Sequence, residues 1–294
     1  MKHLRIWILF LFLGLTITCS KKSDDTSPDS TEDPVVEVDR SANLLAAGAS
    51  ANDILSNDKF TKLKVEIAFV TGFRPTQESM DEFVAFLKTY TFKENIEMVF
   101  NELPSPEKET LTIQEIADLE TENRTVYNDG ETLGIYIYFA DAPADDNKED
   151  EGILTLGAVY RNTTIVIHEE TIRRLAARSI LITDADVETA TLNHEFGHLF
   201  GLVNFGTDQV NDHEDVDAEA HCNVPGCLMR AQLQFGQSNG KSSNLVAKTE
   251  IKPSCSLSSI SVLKILESNT KKGSVNAVPL DAECILDLRS NGGR

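Results

Sequence analysis

With 294 residues and 41% apolar side chains, the chain can hold one large domain or two small ones, with material for a sizeable core. Its formal net charge of −20 argues against nucleic acid and against direct adhesion to anionic lipid, since both partners are themselves polyanionic.

Lys2 and Arg5 precede an apolar run from Ile6 to Leu15 that is short for a membrane span. Thr16-Ile17-Thr18-Cys19 follows, and this order of basic, apolar and small residues ending in Cys resembles the cleavage site of bacterial lipoproteins. The resemblance implies a signal peptide over 1–18, lipid on Cys19, and export to the bacterial cell envelope. There the protein is expected on the outer membrane, periplasmic or surface-facing. An ordinary signal peptide with an incidental Cys is the alternative. Without Lys2 and Arg5 the chain carries 25 basic against 47 acidic residues, a formal charge of −22. Residues 19–58 are expected as a flexible tether, polar and Ser-, Asp- and Pro-rich up to about residue 40. The stretch from Ser41 to Asp58 reads as a short helix or a loop against a domain that spans 59–294.

Lys64 to Val70 alternates and predicts a strand. Pro75 to Tyr90 predicts a helix with Met80, Phe83, Val84, Phe86 and Leu87 on its apolar face. Ile96 to Phe100 is a second strand. Thr112 to Glu122 is a second helix, with Thr112 and Glu115 as a capping box. Leu133 to Phe139 is a third strand. This alternation predicts an α/β (α+β) fold with a mixed, mostly parallel sheet. Leu154 to Tyr160 and Thr163 to His168 form a hairpin, so one strand is antiparallel at an edge, with groups free to pair with an extended peptide. His168 reads as a surface strand residue. A short helix follows over 170–180, and Thr183 starts a helix running to about Leu202. The C-terminus carries a helix from Leu280 to Leu288, closed by Asn291-Gly-Gly.

The second long helix in that latter half contains His194-Glu195-x-x-His198, with Gly201 three residues on. Two His four apart lie on one face of a helix and can share one zinc ion, while Glu195 reaches a water on that ion. Zinc brings the pKa of such a water to about 7, and Glu195 takes and returns its proton as general base. This is the chemistry of peptide-bond hydrolysis. A catalytic zinc needs a third protein ligand. The residues alone leave it open between His221, in His221-Cys222-x4-Cys227-x-Met229, and His213, in the acidic stretch 208–219. That stretch holds six carboxylates, and a Ca2+ site there is a further reading.

Together, His-Glu-x-x-His-x-x-Gly and His-Cys-x4-Cys-x-Met resemble the metzincin clan of zinc metalloproteases, in particular the archaemetzincins, with an insertion between Leu202 and His221. The likeness covers roughly residues 60–235. It implies a metzincin-like zincin fold with an upper half over 59–202 and a smaller, irregular lower half over 203–294. It further implies one catalytic Zn2+ on His194, His198 and His221, Glu195 as general base, Met229 in a turn beneath the metal, and a peptide or protein substrate. The specificity pocket is expected within 225–255. The rival reading is an inactive zinc- or calcium-binding envelope lipoprotein acting as a binding or adhesion module. Beyond Cys19, four cysteines remain, and an even number in an exported chain points to two disulfides. Cys222–Cys227 with Cys255–Cys284 is the preferred pairing. A Cys-ligated structural zinc competes with it, although no Cys-x-x-Cys is present.

Overall fold

A five-stranded sheet organises the chain in the computed structural model, which describes residues 39–230, 257–258, 266–267 and 278–294. In chain order the elements that build it are α1 (Ala51–Leu55), β1 (Lys62–Val70), α2 (Gln77–Tyr90), β2 (Asn95–Leu103), α3 (Ile113–Asn123) and β3 (Thr132–Ala140). There follow β4 (Ile153–Leu154), β5 (Gly157–Arg161), β6 (Thr164–His168), α4 (Glu169–Ala176) and α5 (Asp184–Leu199). The remainder holds a small hairpin, β7 (Glu214–Asp215) and β8 (Ala218–Cys222), then β9 (Leu257–Ser258) and α6 (Ala282–Ser290).

The sheet order is β2-β1-β3-β6-β5. All pairs are parallel except β5–β6, the expected hairpin, which places β5 antiparallel at one edge. The fold is therefore mixed α/β with a mostly parallel sheet, as alternation in the sequence predicts. Side chains alternate between two cores because strand side chains have a period of two. Leu63, Val65, Ile67 and Phe69 of β1 point to the larger core with α2, α4 and α5, whereas Ala68 and Val70 point to a smaller one under α3. Helix α3 starts on the predicted capping box: the Thr112 side chain accepts from Glu115 N–H and Glu115 accepts from Thr112 N–H at 3.0 Å.

Two expectations are corrected. The tether assigned to 19–58 does not extend to 58. Ile54 and Leu55 are fully buried in the main core, and buried Asn43 donates to Gly134 O at 3.1 Å and to Asn128 Oδ1 at 2.9 Å. An amide that satisfies partners on two other segments, followed by two core aliphatics, joins this stretch to the domain. His168 is not on the surface: only 1% of it is exposed, and its Nδ1 lies 2.8 Å from Ala142 O. Burial lowers its pKa, so it is held as a neutral ring bonded to that carbonyl. Cys19, Cys255 and most of the segment expected to form the specificity pocket lie outside the described residues. No helix among the described residues is long and apolar enough to cross a membrane.

Candidate metal centre

Helix α5 is positioned at both ends by local chemistry. At its start the Thr183 side chain accepts from Asp186 N–H, and Asp186 accepts from Thr183 N–H at 2.8 Å. At its end Gly201 N–H reaches His198 O at 3.0 Å and Leu202 N–H reaches Gly197 O at 3.2 Å. That pair of bonds is a Schellman turn, which needs a left-handed residue at Gly201. Its φ is +71°, and a Cβ there would meet Thr207 N at 2.8 Å. From Val187 to Leu199 every residue of the helix is buried, so it runs through the interior with His194 and His198 one turn apart.

The chain then turns through Val203 and Asn204, both at positive φ. Asn204 donates to Glu214 Oε2 at 2.9 Å and to Gln209 Oε1 at 3.2 Å. It anchors the acidic loop. Hairpin β7–β8 brings the chain back and sets His221 over the helix. The three rings of His194, His198 and His221 offer nitrogens that all lie within 4.8 Å of one another. Their centroids are 4.9 Å (His194–His198), 5.4 Å (His194–His221) and 5.1 Å (His198–His221) apart.

Two of the rings are oriented by carbonyls. His194 Nδ1 donates to Leu228 O at 2.7 Å, and His221 Nδ1 donates to Glu219 O at 2.8 Å. An N–H fixed at Nδ1 leaves the Nε2 lone pair for a metal, the usual carbonyl–imidazole arrangement of ligating His. Both nitrogens of fully buried His198 lack a hydrogen-bond partner among the described residues. A buried imidazole left so costs free energy that a metal ligand bond would recover. Burial also lowers the pKa of all three: His194 to about 3, His198 well below its ordinary value, and His221 below its own. They are neutral at pH 7, the protonation state a metal requires. Three neutral imidazoles at one point fit a zinc ion with an open fourth position.

Around this centre the packing is close. A Cβ on Gly197, between the two helical His, would stand 2.1 Å from Met229 Sδ. Met229 is fully buried, and its thioether lies directly against the helix backbone, beside Leu228, whose carbonyl holds His194. Edge strand β5 also touches α5. A Cβ on Gly157 would meet Glu195 Cγ at 2.9 Å and Thr191 Cγ2 at 3.0 Å. Glu195 is thus set between the metal-facing His pair and the sheet edge.

His213, the other candidate for third place, is elsewhere. Its Nε2 lies 2.7 Å from Asp287 Oδ2 of α6 and its Nδ1 lies 3.3 Å from Cys222 Sγ. Of the two histidines weighed from sequence, His221 joins the helical pair and His213 does not. Of the preferred pairing, Cys222–Cys227 is not bridged, and Cys255–Cys284 involves Cys255, outside the described residues. Cys222, Cys227 and Cys284 are free. Cys227 Sγ approaches Cys284 Sγ at 3.6 Å, while Cys222 Sγ donates to Asp281 Oδ2 at 3.0 Å. The hairpin and α6 thus converge on one point. Two carboxylates of the acidic loop are engaged within it: Glu214 Oε1 accepts Ala220 N–H at 2.7 Å, and Asp215 Oδ1 accepts Asp217 N–H at 3.0 Å. The Ca2+ site considered there is not assembled among the described residues, whose gathered donors are His194, His198 and His221 and, separately, His213, Cys222, Asp281 and Cys284.

Sequence reasoning missed Asp281, Asp287, Gly157 and Gly197. Asp281, three before Cys284, is readable as a helix N-cap; the others act through contacts far along the chain.

No protein-family model and no curated protein matches the chain. Among solved structures it is similar to the crystal structure of archaemetzincin from Methanopyrus kandleri, with a TM-score of 0.46 and 14% sequence identity, over 79% of this chain and 96% of that one. A likeness at that level bears on neither ligands nor activity, and the centre stands on its own geometry.

Proposed function

We propose that the protein is a zinc-dependent endopeptidase. The observation that carries this reading is the convergence of three buried, neutral imidazoles on one point, two from a His-Glu-x-x-His helix and one from a hairpin, with Glu195 beside them. His194, His198 and His221 would hold the ion. A zinc ion in that position supplies a Lewis acid for the scissile carbonyl and lowers the pKa of water to about 7. Glu195 accepts the proton of the attacking water and delivers it to the leaving nitrogen. The antiparallel edge β5, which packs on Glu195 through Gly157, offers main-chain groups to an extended peptide. Met229 sets the floor by contact with Gly197 and shapes the site without donating to the ion. The polyanionic surface turns the protein toward peptide substrates rather than nucleic acid.

Glu195→Gln in the full chain is the test. It should retain the metal content of the unaltered protein and lose about 10²- to 10⁴-fold in proteolysis of an unfolded protein substrate, the range typical of a general base. Proteolysis that persists at the original rate would remove Glu195 from the mechanism. An inactive unaltered protein with full metal content would favour the binding-module reading instead.

A further inference from the structure

We infer that Phe205 is the positioning residue of His198, and that the N-terminal strap over residues 42–52 holds Phe205 in place. The inference rests on the three imidazoles as a metal centre and not on the proposed peptidase activity.

The three rings are not held alike. His194 and His221 are each oriented by a backbone carbonyl at Nδ1. His198 has no hydrogen-bond partner at either nitrogen among the described residues. A metal on one nitrogen therefore leaves the other without the bond that usually fixes a ligating imidazole. Phe205 meets this ring instead, with centroids 5.5 Å apart and planes at 68°. Edge-to-face contact is a favoured and directional arrangement of two rings. It can fix a ring plane that no hydrogen bond fixes.

Phe205 stands on the turn that follows α5. Thr207 N–H donates to Gly201 O at 2.9 Å and Thr207 Oγ1 donates to Phe200 O at 2.7 Å, which closes residues 201–207 into a loop. Against this loop lies the strap. A Cβ on Gly48 would stand 1.6 Å from Phe205 O, and one on Gly206 would stand 2.6 Å from Gly48 O. The two backbones touch with no side chain between them, so Gly48 sets where the Phe205 backbone lies. Ala51 adds a second contact, since a Cβ on Gly201 would meet its own Cβ at 3.0 Å.

The strap is fixed at a second place, the turn between β5 and β6. Fully buried Asn162 donates to Ala42 O at 2.8 Å and to Ser50 Oγ at 2.7 Å, and accepts from Leu45 N–H at 3.0 Å. Its own N–H donates to Leu45 O at 3.1 Å. Lifting the strap would strand these buried groups, a costly step. The strap thus joins two elements beside the metal centre: the β5–β6 hairpin, whose Gly157 packs on Glu195, and the turn that carries Phe205.

The experiment uses the full chain and reads zinc affinity by chelator competition, the visible cobalt spectrum, and the urea midpoint of the metal-free protein. Phe205 is only half-buried, so its replacement does not empty the core. Phe205→Ala is expected to weaken zinc by about 10-fold or more, the loss typical when a ligand's supporting contact is removed, and to alter the cobalt spectrum. The urea midpoint should stay near that of the unaltered protein. Phe205→Tyr, which keeps the ring, should restore affinity and spectrum. Gly48→Ala, far along the chain from every ligand, should act like Phe205→Ala. Unchanged affinity and spectrum in Phe205→Ala, or failure of Phe205→Tyr to restore them, overturns the inference. An unaltered protein that binds neither zinc nor cobalt overturns the metal centre and this inference with it. A protein without proteolysis whose zinc affinity still depends on Phe205 supports the inference while counting against the proposed function. The two Phe205 variants decide this even where Gly48→Ala fails to fold.

Discussion

Single atoms set the centre's tolerance. Gly197 lies between the two helical His because Met229 Sδ occupies the place of its Cβ, 2.1 Å away. In an exposed helix Ala would stabilise relative to Gly by about 1 kcal/mol. Here overpacking a filled site opposes that gain and costs about 1–3 kcal/mol. Gly197→Ala is therefore expected to lower the melting temperature and to weaken metal retention, because Leu228, next to Met229, orients His194. Chemical denaturation together with metal content checks this; unchanged stability would mean that Met229 moves aside freely. Both residues are visible in the sequence, but their contact joins positions 197 and 229, and no local pattern reports it.

At the scale of elements, three helices are locked by two buried carboxyl groups. Glu188 of α5 accepts from Thr76 N–H at 2.9 Å and from Thr76 Oγ1 at 2.6 Å, and also from Ser79, at the start of α2. Glu169 of α4 lies near Glu188 and accepts from Arg173 Nε at 2.6 Å. Burial first, and the charge of Glu188 second, push the Glu169 carboxyl from 4.5 up to about 9. Its folded pKa lies above its unfolded value, so its contribution to stability is fully present below pH 4.5 and is lost as pH rises through about 9. Glu169→Gln keeps an acceptor for Arg173 and a donor for Glu188 without the titration. The melting temperature of the unaltered protein should fall relative to that of the variant across this window. Parallel curves would show that Glu169 ionises normally. The capping box of α3 and the start of α5 at Thr183 were legible because the atoms involved lie within one helical turn. The Glu169–Glu188 pair was not, because two Glu in helical stretches read as solvated faces until the helices are packed together.

On the scale of the whole molecule, the described domain begins well before residue 59, with α1 and Asn43 built into it. Between Cys19 and Asp39 lies the stretch that would tie this domain to a membrane if Cys19 carried lipid. Attachment there through lipid on Cys19 is our proposal, resting on the basic, apolar and Cys order of the first nineteen residues. With a formal charge of −22 the processed chain has no electrostatic attraction for an anionic membrane. Membrane association should thus depend on the lipid: Cys19→Ala is expected to shift the protein from the membrane to the soluble fraction of expressing cells. A protein that stays with the membranes would exclude lipid on Cys19 as its anchor.

Sequence alone determined the strand and helix order, the capping box of α3, the start of α5 at Thr183, and the His194, Glu195 and His198 triplet. Each depends on residues within a turn or a strand of one another, where spacing fixes geometry. Tertiary structure alone decided between His221 and His213. Both sit in the same polar stretch, and the choice follows from hairpin β7–β8 and from Asp287, 74 residues beyond His213. The same holds for the cysteines: Cys227 meets Cys284, and Cys222 meets His213, because α6 returns to the hairpin. Contacts across that distance are set by how the whole chain closes around its core, which no short window of residues encodes.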